Sequence, residues 1–262
     1  MDAFQERLAR AGLSSLVDYG FALAGGFALQ AHGLVERMSE DVDLFTDRWD
    51  EVSFAAAVDV LCAAYRDLGL EVCIARRGAT FARLRIDDTA TRETASVDLA
   101  ADSRTNPTVY LSFGPVLDER DAVASKVGAV FSRGEARDYL DLAGILASGR
   151  YDRDELVRLG AQADGGFTTE LFAQALAAVD RFPDEEFTAY GVDADHIASV
   201  RASMRDWSRA IVDDLVHRDA ESHQCAPAAG SPIGRQPQTD GSPARHDTVP
   251  DVSEERIPGV EL

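Results

Sequence analysis

The chain has 262 residues, of which 45% are hydrophobic and 27% charged, proportions that suit a globular protein with a sizeable core. Its formal net charge of −20 argues against broad, salt-driven wrapping of nucleic acid, although it leaves a local basic site open. The sequence has neither a membrane-spanning apolar run nor a signal-peptide start, and its three cysteines form no C-x-x-C pair, so we expect a cytoplasmic protein with free thiols.

Short strands and amphipathic helices alternate in the first half of the chain. Residues 51–69 carry apolar side chains at helical spacing and end at Gly69, whereas the runs that follow are short and separated by turn residues. We expect these short runs to form one mixed sheet. The predicted helices span 2–12, 26–33 and 51–69, and the predicted strands span 21–24, 41–45, 71–76, 80–86, 95–100 and, as a further candidate, 108–113.

From Asp118 to His217 the apolar spacing is helical throughout. Residues 226–243 are rich in Pro, Gly and Ser, and such a segment cannot recover its ordering entropy by burial. The sequence therefore predicts an α+β protein in three segments: a core with a mixed sheet over 1–118, a helical subdomain over 119–218 and a disordered tail over 219–262. The helices of the second segment are expected at 119–131, 135–147, 152–163, 168–180 and 193–217.

Two aspartates, Asp41 and Asp43, lie in an otherwise apolar predicted strand. Because side chains alternate along a strand, both carboxylates project to one face, roughly 6–7 Å apart. Such a pair suits Mg²⁺, which usually binds through one or two carboxylates plus substrate phosphates. Gly25 and Gly26 open the preceding helix, where backbone N–H groups can approach an anion. The pattern indicates phosphoryl or nucleotidyl transfer, and the alternative is an acidic turn in an acidic protein.

Asp98 lies in the predicted strand 95–100, with apolar residues on both sides. A charge in a buried strand is costly unless it is paired or binds a metal, so we interpret Asp98 as a third metal-binding carboxylate. The alternative is a carboxylate at the end of the strand that faces water. If Asp98 does not bind the metal, Asp102 is the next candidate for the third metal-binding carboxylate.

Lys126 is the only lysine of the chain, against 25 arginines. A compact ammonium on a flexible stem can reach a phosphate where a planar guanidinium does not fit. We therefore interpret Lys126 as a phosphate-binding residue, and the alternative is a compositional accident on the surface.

Two separated motifs resemble one enzyme family. The first resembles the nucleotidyltransferase superfamily typified by DNA polymerase β, and within it the AbiEii/AbiGii toxin family; it comprises Gly25, Gly26, Arg37, Ser39, Asp41 and Asp43. The second resembles a later motif of that family, a lysine followed by Arg-Asp-x-x-Asp on a helix; it comprises Lys126, Arg133, Arg137, Asp138 and Asp141. The resemblance spans about residues 20–146 and implies a polymerase β-like nucleotidyltransferase core.

The remaining motif residues have open alternatives. Arg37 and Ser39 are expected to position the triphosphate or the acceptor, unless Ser39 simply caps the turn. Arg133 and Arg137 lie four residues apart and are expected on one helical face, where they would contact phosphates. Asp138 and Asp141 would orient these arginines and Lys126, and the alternative is an ordinary helical salt-bridge network.

These residues together predict Mg²⁺-dependent transfer of a nucleoside monophosphate from an NTP to an acceptor hydroxyl, with Asp41, Asp43 and Asp98 holding two metal ions. The family resemblance implies the toxin of a bacterial toxin–antitoxin or phage-defence pair, with a cognate antitoxin and with RNA, such as a tRNA 3′ end, as acceptor. The rival hypotheses are transfer to a small molecule such as an aminoglycoside, transfer to a protein side chain, and a catalytically silent binding protein. The sequence leaves the acceptor and the preferred NTP open.

Overall fold

One mixed sheet of seven strands carries the predicted aspartates. The computed structural model describes residues 1–224 of the chain, with side chains through residue 218. The strands are β1 (Ala22–Leu23), β2 (Asp41–Thr46), β3 (Glu71–Arg77), β4 (Phe81–Asp88), β5 (Glu93–Ala101), β6 (Val109–Leu111) and β7 (Gly114–Val116). Their order across the sheet is β3-β4-β5-β2-β1-β7-β6. The pairs β2–β5 and β1–β7 are parallel, and the other neighbours are antiparallel.

Helices precede, connect and follow the strands. Among the described residues, no helix is long and apolar enough to cross a membrane. The α-helices are α1 (Ala3–Ser15), α2 (Gly25–Ala31), α3 (Glu51–Asp67), α4 (Glu119–Ser132), α5 (Ala136–Ala147), α6 (Arg153–Ala163), α7 (Thr169–Ala177), α8 (Asp184–Thr188) and α9 (Ala194–Gln224), and short 3₁₀ turns span Val17–Tyr19 and Ala178–Arg181.

Acidic side chains cap several of the helices. Asp2 and Gln5 form a reciprocal capping box at the start of α1, and Asp50 accepts a hydrogen bond from the backbone N–H of Ser53 at the start of α3. These caps satisfy N–H groups that the first helical turn leaves without partners. Some of the acidic residues of the chain therefore stabilise the N-terminal ends of helices.

The helices α1 and α3 pack on one face of the sheet, where Val42 and Leu44 of β2 are fully buried. Gly12 allows the close approach, since a Cβ there would lie 2.9 Å from Leu44, and the Tyr65 hydroxyl donates to the carbonyl of Leu8 across 3.0 Å. Because side chains alternate, Asp41 and Asp43 project from the opposite face of β2. On that face Gly25 of α2 lies against Asp43, and the Arg137 side chain of α5 reaches Asp41.

The predicted α+β class with a mixed sheet is confirmed, and the differences lie in short or terminal elements. The candidate strand at 108–113 contains β6, and a further strand that was not predicted, β7, pairs with both β6 and β1. Helix α8 was not predicted. Helix α9 continues to Gln224, past the predicted start of the tail at residue 219, and the rest of that prediction lies outside the described residues.

Residues Met1–His223 form one compact unit. Helix α4 packs against α2 in the sheet segment and against α5, α6 and α7 in the helical segment. The division into a core over 1–118 and a helical subdomain over 119–218 therefore stays a prediction.

Candidate active site

Three carboxylates lie on one face of two neighbouring strands. Strands β2 and β5 run parallel, with Asp43 directly opposite Asp98. Asp41 lies two residues before Asp43 on the same face of β2, opposite Ser96. Asp43 and Asp98 line a cleft of about 670 Å³, which is bounded by the glycine pair and by cationic side chains from α4 and α5. Asp102, the second choice for the third carboxylate, also lines the cleft but lies beyond the end of β5.

Asp43 is the most perturbed of these carboxylates. Burial, together with the charges of Asp98 and Asp41, raises the pKa of Asp43 to about 6, against the opposing charges of Lys126 and Arg137. Its side chain stays partly accessible, and the accessible part faces the cleft. Protein atoms enclose the carboxylate without fully compensating its charge, which is the electrostatic setting that suits a bound cation.

Arginine side chains hold the other two carboxylates. Arg83 of β4 makes a two-point contact with Asp98, with distances of 2.7 Å from Nε to Oδ1 and 2.6 Å from Nη2 to Oδ2. The same Nη2 lies 3.5 Å from Asp41 Oδ2, and Arg137 Nη1 lies 3.1 Å from that oxygen. Within the described residues, no three His, Cys, Asp or Glu side chains are arranged as a ready metal cluster. The carboxylate oxygens suit a divalent cation in chemistry, and in this structure the guanidinium groups of Arg83 and Arg137 contact them.

The two glycines make room for neighbouring side chains. Gly25 has a φ of +58°, and a Cβ there would lie 1.8 Å from Asp43 Oδ2. A Cβ on Gly26 would lie 2.8 Å from the Ser39 hydroxyl oxygen and 3.3 Å from Arg37 Nη2. The glycine pair therefore lets the first turn of α2 lie directly against Asp43 and the polar turn before β2.

Lys126 lies in a network of buried charges. Its Nζ is 2.9 Å from Asp141 Oδ2 and 3.6 Å from Asp138 Oδ1, and the side chain is only 7% exposed. Arg37 contacts Asp141 at two points, with 2.6 Å from Nε to Oδ1 and 2.7 Å from Nη2 to Oδ2. Both aspartates are fully buried. The structure thus brings the first motif and the second motif together at Asp141.

The two arginines of the second motif belong to different elements, so the prediction that they share one helical face is wrong. Helix α4 ends at Ser132, Gly134 turns the chain with a φ of +56°, and α5 begins at Ala136. Arg133 contacts Asp138 at two points, at 2.9 and 3.0 Å, whereas Arg137 reaches Asp41. Arg137 Nε is buried and has no hydrogen-bond partner among the described residues. Both arginines line the cleft.

Sequence reasoning missed two residues of this region. For Arg83, the sequence shows only a charged residue that alternates with apolar residues in a predicted strand, which is a weak indication of a role. Asp121 is buried in α4 and accepts hydrogen bonds from the backbone N–H groups of Thr105 and Asn106, at 3.1 and 2.8 Å. It fixes a loop that lines the cleft, and an N-terminal helix position gave no sign of that contact.

Comparisons with known proteins identify the family and the fold. A family model described as the nucleotidyl transferase AbiEii toxin of a type IV toxin–antitoxin system matches residues 8–224. Two solved structures share the fold. A putative nucleotidyltransferase from Helicobacter pylori is 18% identical, with a TM-score of 0.50 over 82% of this chain and 96% of its own. The nucleotidyltransferase toxin MenT4 from Mycobacterium tuberculosis H37Rv is 22% identical, with a TM-score of 0.53 over 79% and 83%. No curated protein matches the sequence significantly.

Proposed function

The chain belongs to the AbiEii family of nucleotidyltransferase toxins, and we propose that it transfers a nucleoside monophosphate from an NTP to an acceptor hydroxyl and releases pyrophosphate. The observation that carries the proposal is the register of Asp43 opposite Asp98 beside the glycine pair. The cleft in front of these carboxylates is lined by cations that could bind a triphosphate.

Asp41, Asp43 and Asp98 would hold the divalent metal, for which we propose Mg²⁺ in a two-ion arrangement. Their hard oxygen ligands and the uncompensated charge of Asp43 support this choice. When bound, the metal would stabilise charge on the attacking and leaving oxygens. Asp43 and Asp98 would orient it, since the β2–β5 register fixes their separation.

The triphosphate would lie between the glycine pair and the cations of the second motif. Lys126 is held in place by two buried aspartates, so its ammonium is positioned before the substrate arrives. Arg37 and Ser39 adjoin Gly26 and would contact the same phosphates, with Arg133 and Arg137 at the wall formed by the α4–α5 turn. Asp138 and Asp141 would act as positioning residues for these cations.

Family membership supports a cognate antitoxin as the partner protein. We propose RNA, such as a tRNA 3′ end, as the acceptor class. The net charge of −20 favours an acceptor that is held at few phosphates. Transfer to a small molecule, or to a protein side chain, is the rival outcome of the test.

The test is transfer of label from each α-labelled NTP to total RNA, total protein or a panel of aminoglycosides, with Mg²⁺ and with chelator. We expect labelled RNA with Mg²⁺ only, and none with the Asp43→Asn variant. Label found only on protein, or only on an aminoglycoside, would show that RNA is not the acceptor, while nucleotidyl transfer itself would stand. No label on any acceptor with any NTP would contradict the proposed activity.

A further inference from the structure

Arg83 lies between two of the carboxylates assigned to the metal, and the family motifs do not include it. We propose that Arg83 is an internal cation that competes with the divalent metal for Asp98 and thereby sets the metal affinity of the site. The inference rests on the proposed function, since it takes Asp41, Asp43 and Asp98 as the metal-holding carboxylates.

The sheet places Arg83 in line with the site. Arg83 of β4 is directly opposite Asp98 of β5, and Asp98 is directly opposite Asp43 of β2, so the three residues form one row across three strands. The guanidinium contacts both oxygens of Asp98, at 2.7 and 2.6 Å. Its Nη2 also points towards Asp41, at 3.5 Å from Oδ2. One planar cation therefore contacts two of the three carboxylates.

A metal and this guanidinium oppose each other in two ways. Both are cations that bind the same oxygens, so each lowers the affinity of the other. Arg83 also relieves the mutual repulsion of the carboxylates in the metal-free protein, which removes part of the drive to take up a metal. Both effects have the same sign, so the loss of Arg83 should tighten metal binding.

Of the two arginines that contact the carboxylates assigned to the metal, Arg83 is the more exposed and is free to withdraw. Its side chain is 41% exposed, compared with 7% for Lys126 and 7% for Arg37, and 19% for Arg137. Lys126 and Arg37 are bound to the fully buried Asp141, whereas Arg83 stands on β4, the second strand from one edge of the sheet. Metal uptake would therefore displace Arg83 and leave the other cations in place.

The experiment is a titration of Mn²⁺ into the full chain, with free Mn²⁺ measured by electron paramagnetic resonance. Wild type is compared with Arg83→Gln, Arg83→Lys and the matched control Arg85→Gln. Arg85 lies two residues further along the same face of β4 but pairs with Asp87, at 3.0 Å. We expect Arg83→Gln to bind Mn²⁺ at least tenfold more tightly than wild type, Arg83→Lys to be intermediate, and Arg85→Gln to match wild type.

Equal Mn²⁺ affinity in wild type and Arg83→Gln would overturn the role of Arg83 and leave the metal assignment intact. No binding by either protein would overturn the metal assignment itself, and this inference with it. Because Arg83→Gln leaves carboxylates unpaired and could fail to fold, a second measurement uses the wild type. The Nε–Hε resonance of Arg83, assigned by its loss in Arg83→Lys, should shift as Mg²⁺ is added. A resonance that stays unchanged at saturating Mg²⁺ would contradict displacement.

Discussion

At the scale of single residues, the carboxylates of the site differ in how far neighbouring cations balance their negative charge. Asp138 and Asp141 are fully buried and each contacts an arginine at two points. Among the described residues no arginine contacts Asp43 in this way, and burial raises its pKa to about 6. The contrast separates carboxylates that position cations from one that is available for a metal.

The first prediction is that Asp43→Asn abolishes transfer and leaves the fold intact. The substitution removes a charge that repels Asp41 and Asp98, so in the absence of Mg²⁺ the melting temperature should stay the same or rise slightly. The measurement is NTP turnover together with thermal unfolding, with the exposed Asp59→Asn as control. Wild-type turnover in Asp43→Asn would show that Asp43 is not needed for catalysis.

Lys126→Arg is the second substitution, and we expect at least a tenfold loss of kcat/KM, equivalent to about 1.4 kcal/mol of transition-state stabilisation. The ammonium fits between Asp138 and Asp141, and Arg37 already occupies Asp141, so a wider guanidinium lacks room. Steady-state kinetics measure the effect, and an unchanged melting temperature separates it from unfolding. Full activity would show that the lone lysine is a compositional accident.

At the scale of elements, the segment between α2 and β2 and the helices α4 and α5 bring the two motifs together. The spacing of Asp138 and Asp141 presents both carboxylates on one face of α5, towards Lys126 of α4. Arg37 reaches Asp141 from the turn before β2 and stacks over the Tyr190 ring at 5.2 Å. Lys126 and Arg37 are therefore both held by contacts within the protein.

The third prediction concerns the β1–α2 turn. Gly25→Ala should lower activity at least tenfold, because its Cβ would displace the Asp43 carboxylate. The matched control is Gly33→Ala, which also has a positive φ, of +71°, but meets nothing within 4 Å. Both variants carry the left-handed strain of about 1 kcal/mol, so thermal unfolding reports the shared cost. Equal activities in the two variants would contradict a role for the close approach at Gly25.

At the scale of the whole molecule, the described chain is one compact unit over Met1–His223, and α9 is its longest helix. The buried apolar residues of α9 extend from Ile197 to Ile211, and Leu215 packs partly against the core. Few apolar residues follow in the sequence.

The fourth prediction is that a chain ending after Gln224 unfolds at the same temperature as the full chain. The residues after Gln224 are rich in Pro, Gly and Ser and offer little apolar surface to bury. Differential scanning calorimetry of both chains measures the effect, and a chain ending after Trp207, which lacks Ile211 and Leu215, is the destabilised control. A large drop on removing residues 225–262 would mean that they stabilise the fold.

The fifth prediction is biological and follows from membership of the toxin family. Induced expression should slow bacterial growth, and either Asp41→Asn or co-expression of a cognate antitoxin should relieve the effect. Growth curves with matched protein levels measure it, and Asp59→Asn should remain toxic. If expression is harmless and the protein nucleotidylates a small molecule, the toxin role is contradicted and the nucleotidyl transfer chemistry stands.

Much of the site follows from local pattern alone. The alternation of side chains in β2 places Asp41 and Asp43 on one face, and the helix periods around Lys126 and Asp141 follow from the spacing of apolar residues. The α+β class and the family resemblance, which are both confirmed, rest on the same short-range order. Such features depend on backbone geometry within a few residues, so the sequence by itself determined them.

Partners that are distant in the chain were decided by the tertiary structure. Arg37 meets Asp141 across 104 positions, Arg137 meets Asp41 across 96, and Arg83 meets Asp98 through the register of β4 on β5. No local spacing encodes these pairs, because strand register and helix docking are set by packing of the whole core. The sequence therefore singled out most of the charged residues of the candidate site, though not Arg83, and the fold decided which carboxylate each cation contacts.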